Sequence, residues 1–324
     1  MERCSSPDSL CTMTDRADAP AFPRLADGAV ITVGTFDGVH LGHRDLLGRV
    51  AERAARRALP GLLVTFDPHP LEIVNPSAAP LLLTTTAEKL QVIAETGLDY
   101  AVVVPFTPAL ASLDPAAFVE RVLLDRYCVR ELLIGHDHGF GRGRAGDIHM
   151  LRELGRRHDF DVDVVDAVAV DGIPVSSSAI RRAVSYGDLD DASKMLGRRY
   201  GFSGRVVHGN ERGRLLGFPT LNIALTSARK LLPPVGVYAV LLQSERGSFG
   251  GMMNLGPRPT FGDSTLSLEV HLFDTSGDWY DTAVRIELVE RLRDVVRFDS
   301  RDALVAQLRA DERAARAALT QVEA

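Results

Sequence analysis

Three cysteines, one tryptophan and three lysines in 324 residues are the first scarcities to explain. Cys4, Cys11 and Cys128 are too few and too scattered for a disulfide framework or a cysteine zinc site, so reduced thiols in the cytoplasm are expected. Lys89, Lys194 and Lys230 each lack a following Ser or Thr. A glycine-rich phosphate loop ending in Lys-Ser or Lys-Thr is therefore absent, and any ATP must be handled another way. No apolar run approaches the roughly 18 residues needed to cross a bilayer, which argues against a membrane protein. A net charge of −6 leaves no basic surplus for nucleic acid. The opening segment, "MERCSSPDSLCTMTDRADAPAFPR", has no apolar stretch of the signal-peptide kind. Residues 1–28 are expected to be a disordered tail, with Met13 a second candidate start.

What is present is the composition of a globular chain, 45% hydrophobic and 25% charged, with length enough for two domains. From residue 29 to 198, apolar strand-like runs alternate with helical periods. "AVITVG", "GLLVTF", "DYAVVVPF", "ELLIG" and "VDVVDAVAV" read as strands. Between them, "HRDLLGRVAERAARRAL" places Leu46, Leu47, Val50 and Ala54 on one helical face and Arg49, Arg53 and Arg57 on another. "TAEKLQVIAETG", "DPAAFVERVLLDRY" (Asp114 as N-cap) and "DIHMLRELGRRH" are further helices, and "SSSAIRRAVSYGDLDDASKMLGRR" gives two more. Strands this apolar, separated by helices, imply a Rossmann-like parallel sheet covered on both faces. Residues 199–324 have a different texture. Six runs, among them "TLNIAL", "GVYAVLLQ" and "LSLEVHLF", follow one another without helices and predict an antiparallel β-barrel. A last helix, capped by Ser300, lays Leu304, Leu308, Ala315 and Leu319 on one side.

The stretch "GTFDGVHLGH", residues 34–43, lies where the first sheet strand gives way to a helix. Ligands of open α/β sheets bind at the carboxyl ends of the strands, and a helix start offers free N–H groups and partial positive charge to an anion. Gly34, Gly38 and Gly42 let a ligand approach the backbone, and His40 and His43 can aim ring donors at it. Packing histidines or a zinc pair are the alternatives, although no third ligand stands at helical spacing. A literal G-x-G-x-x-G, "GRGRAG" at 141–146, with Asp166 about 20 residues on, raises a nicotinamide-dinucleotide reading.

"GTFDGVHLGH" resembles the signature of the HxGH nucleotidyltransferases, which transfer adenylyl groups from ATP. A second signature of that superfamily, a Ser-rich turn ending in Arg, has its counterpart in "VSSSAIR", with Ser176, Ser177, Ser178 and Arg181. Further on, "VVHGNERGRLLGFPTLNI", "PPVGVYAV", "NLGPRPTF" and "LEVHLFD" resemble the bacterial bifunctional riboflavin kinase and FAD synthetase family, as do "TFDPHP", "FVERVL" and "GHDHGFGRGRAGD". That resemblance covers essentially the whole chain from residue 29. It implies an FMN adenylyltransferase domain over 29–198 and a riboflavin kinase domain over 199–324.

By this resemblance, His40, His43 and Arg181 act in adenylyl transfer. Gly34, Phe36, Asp37, Gly38, Gly42, Asp137 and the three serines belong to its ATP site. Asp37 is equally suited to orienting a histidine or the loop backbone. In the kinase half, the motif Pro-Thr-Ala-Asn stands as Pro219-Thr220-Leu221-Asn222, with Thr220 and Asn222 implied as Mg²⁺ and ATP ligands. Gly209, Gly213 and Gly217 close over the phosphates, and Glu269 is the implied base. Alternation of Leu266, Leu268 and Val270 puts Glu269 on the opposite, outer face, where a plain barrel would leave it solvated. His69, Asn254, Arg258 and Arg293 are candidate flavin contacts, the two arginines equally readable as structural ion pairs and His69 as an ordinary loop residue. His138 stands where the family often has Phe. The expected reactions are phosphorylation of riboflavin to FMN and adenylylation of FMN to FAD, with ATP and Mg²⁺ and with no nucleic acid or membrane partner, by a monomer or weak homo-oligomer. A nicotinamide-dependent oxidoreductase and a non-catalytic flavin- or nucleotide-binding regulator are the competing readings.

Overall fold

In the computed structural model, the described residues are 10–14, 25, 27–135, 147–209, 217–257 and 266–323. They fall into two units, Met1–Ser176 and Ser177–Ala324. The division comes earlier than residue 198 because the two helices after Ser176 group by contact with the second unit.

The first unit is built on six parallel strands in the order β1-β4-β3-β2-β5-β6. These are β1 (Cys11–Thr14), β2 (Ala29–Val33), β3 (Gly61–Asp67), β4 (Tyr100–Pro105), β5 (Val129–Gly135) and β6 (Asp161–Val165). Helices α1 (Leu41–Arg57), α2 (Pro70–Val74), α3 (Thr86–Ile93), α4 (Pro108–Ala111), α5 (Pro115–Phe118) and α6 (Ile148–His158) connect them. Both faces of the sheet are covered, and the strand period shows it. Ile31, Leu62 and Leu132 join one apolar cluster, while their neighbours Val30, Leu63 and Leu133 join the other with Leu46, Leu47 and Val50 of α1. Asp114 caps α5 as expected, accepting from the Ala117 amide at 2.8 Å.

Two expectations differ from what is observed. Cys11–Thr14, inside the segment expected to be a disordered tail, pair with Tyr100–Val103 as an edge strand. Such a strand is recruited by the open backbone edge of β4 and needs no apolar run of its own. The expected strand "VDVVDAVAV" also breaks. β6 ends at Val165, and β7 (Ala169–Val170) and β8 (Ile173–Pro174) form a hairpin through Asp171 and Gly172, both at positive φ.

The second unit starts with α7 (Ser177–Tyr186) and α8 (Leu189–Leu196) and continues into a closed barrel, β10-β13-β12-β11-β14-β9. Its strands are β9 (Gly201–Val207), β10 (Leu221–Leu225), β11 (Gly236–Ser244), β12 (Gly247–Pro257), β13 (Leu266–Leu272) and β14 (Ala283–Arg293). Phe202, Tyr238, Val240, Met253, Val270 and Ile286 are fully buried along its strands. The terminal helix α9 (Arg301–Glu323) lies on the outside, where Ala315, Ala318 and Leu319 pack against Ala239, Met252 and Phe273. Ser300 caps it, accepting from the Ala303 amide at 3.1 Å.

Candidate active sites

The loop between β2 and α1 answers to the strand-end rule, and the reason for its histidines is visible in their bonds. His40 is the N-cap of α1: its Nδ1 accepts from the His43 amide at 3.3 Å. With Nδ1 an acceptor, the proton of the neutral ring sits on Nε2, which becomes a donor. The ring of His43 stacks on that of His40, with centroids 3.6 Å apart, and Phe36 lies against His43 at 4.7 Å. The amides of Leu41 and Gly42, first in the helix, have no carbonyl one turn back to bond. Donors on two rings and two amides thus gather at one helix start, an arrangement suited to phosphate oxygens.

This loop is strained. Phe36 (φ 48°) and the β-branched Val39 (φ 39°) occupy the left-handed region, alongside Gly38 (φ 82°). Gly34 makes a close approach, since a Cβ there would stand 3.0 Å from the Phe36 ring and press it aside. The strain is held by one neighbouring segment, the turn that starts α3. Asp37, only 4% exposed, accepts from the amides of Leu83 (3.0 Å) and Thr84 (2.9 Å), and the Gly38 amide donates to Thr84 Oγ1 at 2.9 Å. Thr85 and Glu88 form a capping box at the same turn. One turn on, buried Lys89 donates to Thr35 O (3.0 Å), Thr65 Oγ1 (2.8 Å) and Phe66 O. Burial lowers the Lys89 ammonium to about 8, against the partial support of Asp37 and Asp67. Asp37 therefore braces the loop backbone, the alternative given for it above. Thr84 and Lys89 were not singled out from the sequence.

The remaining residues assigned to this half are dispersed. His69 caps α2, accepting from the Leu71 amide at 3.2 Å while Glu72 accepts from the His69 amide. Asp137, His138 and "GRGRAG" lie outside the described residues. Ser177 and Ser178 open α7 in the second unit, with Ser176 just before them and Arg181 one turn in. A cavity of about 540 Å³ opens at the amino ends of β5 and β6, away from the carboxyl-end histidine loop. It is lined by both signs of charge, and its Arg57 pairs with Asp161 and Glu131.

In the barrel, strand register does the assembling. Glu269 of β13 stands directly opposite Asn222 of β10 on one side and Asn254 of β12 on the other. Directly opposed residues share a face with Cβ atoms about 5 Å apart, so the three form one polar row. The row faces outward, as the alternation predicts, yet Glu269 is partly buried rather than solvated and accepts from Ser267 Oγ at 3.0 Å. Gly209 permits this arrangement: a Cβ there would fall 2.0 Å from Asn222 Nδ2. Two residues along from Glu269, His271 Nδ1 lies 2.8 Å from Pro219 O, and its ring contacts Phe218 and Phe273. A carbonyl only accepts, so His271 donates and fixes the Pro219–Asn222 turn. Ser267 and His271 escaped the sequence reading because their value depends on the register of three strands.

Arg293 makes a structural ion pair. Its guanidinium pairs with both oxygens of Asp311 (2.8 and 2.6 Å), a carboxylate only 3% exposed that also accepts from Gln307. This fork fastens β14 to α9. Gly217 has a left-handed φ of 82°, and Pro219 and Thr220 lead into β10. Gly213 and Arg258 lie outside the described residues.

A donor-lined helix start at a strand end and a carboxylate set between two amides are both devices for moving groups on phosphorus, and the class they define is a two-domain phosphorus-group transferase. Comparison with known proteins narrows it. The FAD synthetase family model matches residues 23–179 and the riboflavin kinase model residues 196–319. The bifunctional riboflavin kinase/FMN adenylyltransferase of Escherichia coli K12 is 40% identical over 90% of this chain and 92% of its own. That of Haemophilus influenzae is 36% identical over 91% and 95%. A crystal structure from Streptococcus pneumoniae, described as a macrolide-efflux protein, is 29% identical, with a TM-score of 0.80 over 94% of this chain and 98% of its own. Among the described residues no helix is long and apolar enough to cross a membrane. The chain belongs to the bifunctional riboflavin kinase/FMN adenylyltransferase family.

Proposed function

We infer that this protein phosphorylates riboflavin to FMN and then adenylylates FMN to FAD, consuming one ATP in each step. The observation that carries this is the presence in one chain of the His40–His43 loop and the Asn222–Glu269–Asn254 row, each inside the segment that the corresponding family model matches.

The two reactions need different help. In the first, the primary hydroxyl of riboflavin attacks the γ-phosphorus of ATP and ADP leaves. An alcohol is a poor nucleophile at neutral pH, so a base must take its proton, and Glu269 is that base. Ser267 holds one carboxylate oxygen, leaving the other for the hydroxyl. Thr220 and Asn222 offer the hard oxygen donors that suit Mg²⁺, a few protein ligands being completed by water and phosphate. When bound there, the ion would neutralise charge on the phosphates. Asn254 is assigned to the flavin, and Arg293 to holding α9 through Asp311.

In the second step a phosphate oxygen of FMN attacks the α-phosphorus of ATP and pyrophosphate leaves. That nucleophile is already anionic, so no base is required. The work is alignment and charge stabilisation, done by the Nε2–H of His40, the ring of His43 and the start of α1. Arg181, with the serines before it, is assigned to nucleotide phosphate from the "VSSSAIR" signature. We place the enzyme in the cytoplasm, as a monomer or weak homo-oligomer. Neither family model supports the nicotinamide oxidoreductase or the non-catalytic regulator. Incubating the purified protein with riboflavin and Mg-ATP, followed by chromatography, is expected to give FMN first and FAD later. Absence of both flavin products would overturn the reading.

A further inference from the structure

We propose that Lys89 is a positioning residue for adenylyl transfer, holding the β2–α1 loop in its strained, donor-presenting shape through Thr35 and Thr65. The inference rests on the adenylyl-transfer reading of that loop and goes beyond it in naming the residue that sets the loop.

The geometry is unusual for a lysine. Its side chain is 5% exposed and its three N–H donors meet three acceptors: Thr35 O in the loop, Thr65 Oγ1 near the end of β3, and Phe66 O beyond it. Thr65 in turn donates to Thr35 O at 3.2 Å, so hydroxyl and ammonium converge on the same loop carbonyl. That carbonyl lies immediately before Phe36, the first residue forced to positive φ. Backbone in this region persists only where its surroundings over-determine it. Asp37 and Gly38 are gripped by residues 83–84; at the loop entry the Gly34 amide bonds Val64 O at 3.0 Å, and Lys89 with Thr65 holds the next carbonyl, that of Thr35. A buried ammonium is costly, and a core position without such a task favours an apolar side chain.

The charged groups acting on this ammonium are Asp37 in the loop and Asp67 at the end of β3. Glu88, its neighbour on α3, is engaged with the Thr85 amide. Loss of the Lys89 proton removes one of three donors, so adenylyl transfer is expected to decline as pH rises past about 8. Removing the Thr65 acceptor makes the charged form less favourable and moves that decline to lower pH.

The test uses the full-length enzyme, with FMN and Mg-ATP for adenylyl transfer, riboflavin phosphorylation on the same preparation as the control for the barrel unit, and a thermal melt by far-UV circular dichroism as the control for folding of the parallel-sheet unit. Lys89→Met is expected to lower kcat for FAD formation by ~30- to 100-fold, in line with the cost of small misplacements of catalytic groups, while KM for ATP moves less than threefold. Kinase activity should stay within twofold. Thr65→Val, which keeps the shape and the lysine, is expected to shift the alkaline limb of FAD formation downward and leave the kinase profile in place. Should Lys89→Met fail to fold, the Thr65→Val profile decides alone. An unshifted limb in Thr65→Val, or wild-type FAD formation by a folded Lys89→Met, overturns the proposal. Failure of the wild-type protein to convert FMN to FAD would instead overturn the reading on which it rests.

Discussion

The two halves of this chain hold their reactive groups by opposite means. In the parallel-sheet unit the histidines sit on a loop with two non-glycine residues at positive φ, and that shape survives because Thr84 and Lys89 fasten it from outside, Thr84 through Asp37 and Gly38. In the barrel, Glu269 lies within a paired strand, and the ladder itself places Asn222 and Asn254 beside it. A loop site needs a second set of residues to keep its geometry; a strand site inherits geometry from register. The contrast matches the chemistry assigned to each. Adenylyl transfer by a ready-made oxyanion needs many backbone and ring donors, which a loop at a helix start provides. Alcohol phosphorylation needs one well-placed base, which a strand provides.

The sharpest way to break the comparison is Glu269→Gln. Loss of a general base is expected to reduce riboflavin phosphorylation by ~10²- to 10⁴-fold. FAD formation from added FMN should be untouched, and steady-state assays of both reactions on one preparation check this. His43→Ala is the converse. Removing one preorganised donor to developing charge should cost about 10²- to 10³-fold in FAD formation and spare the kinase. Equal loss of both activities in either variant would contradict the division of labour.

Two smaller effects refine the strand half. Asp311→Ala leaves the Arg293 guanidinium without its buried partner, which is expected to destabilise the barrel unit by about 3 kcal/mol. Trp279, the single tryptophan, is buried in that unit, so urea unfolding followed by its fluorescence reads the barrel alone. Gly209→Ala should press the Asn222 amide out of the polar row and lower kinase kcat by ~10-fold, with FAD formation unaffected. Full kinase activity in Gly209→Ala would mean that Asn222 does not need its observed position.

How much of this could be read from the residues follows the same divide. The sheet, the barrel and the histidine loop were legible because apolar period and local motif are carried by neighbours in sequence. The outward direction of Glu269 followed from Leu268 and Val270, the buried apolar residues on either side of it, although Leu266, expected on their face, is exposed and Ser267 is buried. Its partial burial did not, because that depends on which residues of β10 and β12 face it. Lys89 was the larger omission: its partner in the loop lies 54 residues away, and nothing in "TAEKLQ" distinguishes it from a surface lysine on a helix. Cys11–Thr14 were read as tail because an edge strand is defined by its partner's open backbone more than by its own side chains.

The central claim is that two self-sufficient sites divide the work, and mixing two disabled proteins tests it most directly. Given riboflavin and Mg-ATP, Glu269→Gln or His43→Ala alone should make FAD at no more than about 1% of the wild-type rate, whereas an equimolar mixture should make it readily, because FMN released by the second is adenylylated by the first. FAD at a near-wild-type rate from the Glu269 variant alone, or no gain from the mixture, would contradict the account.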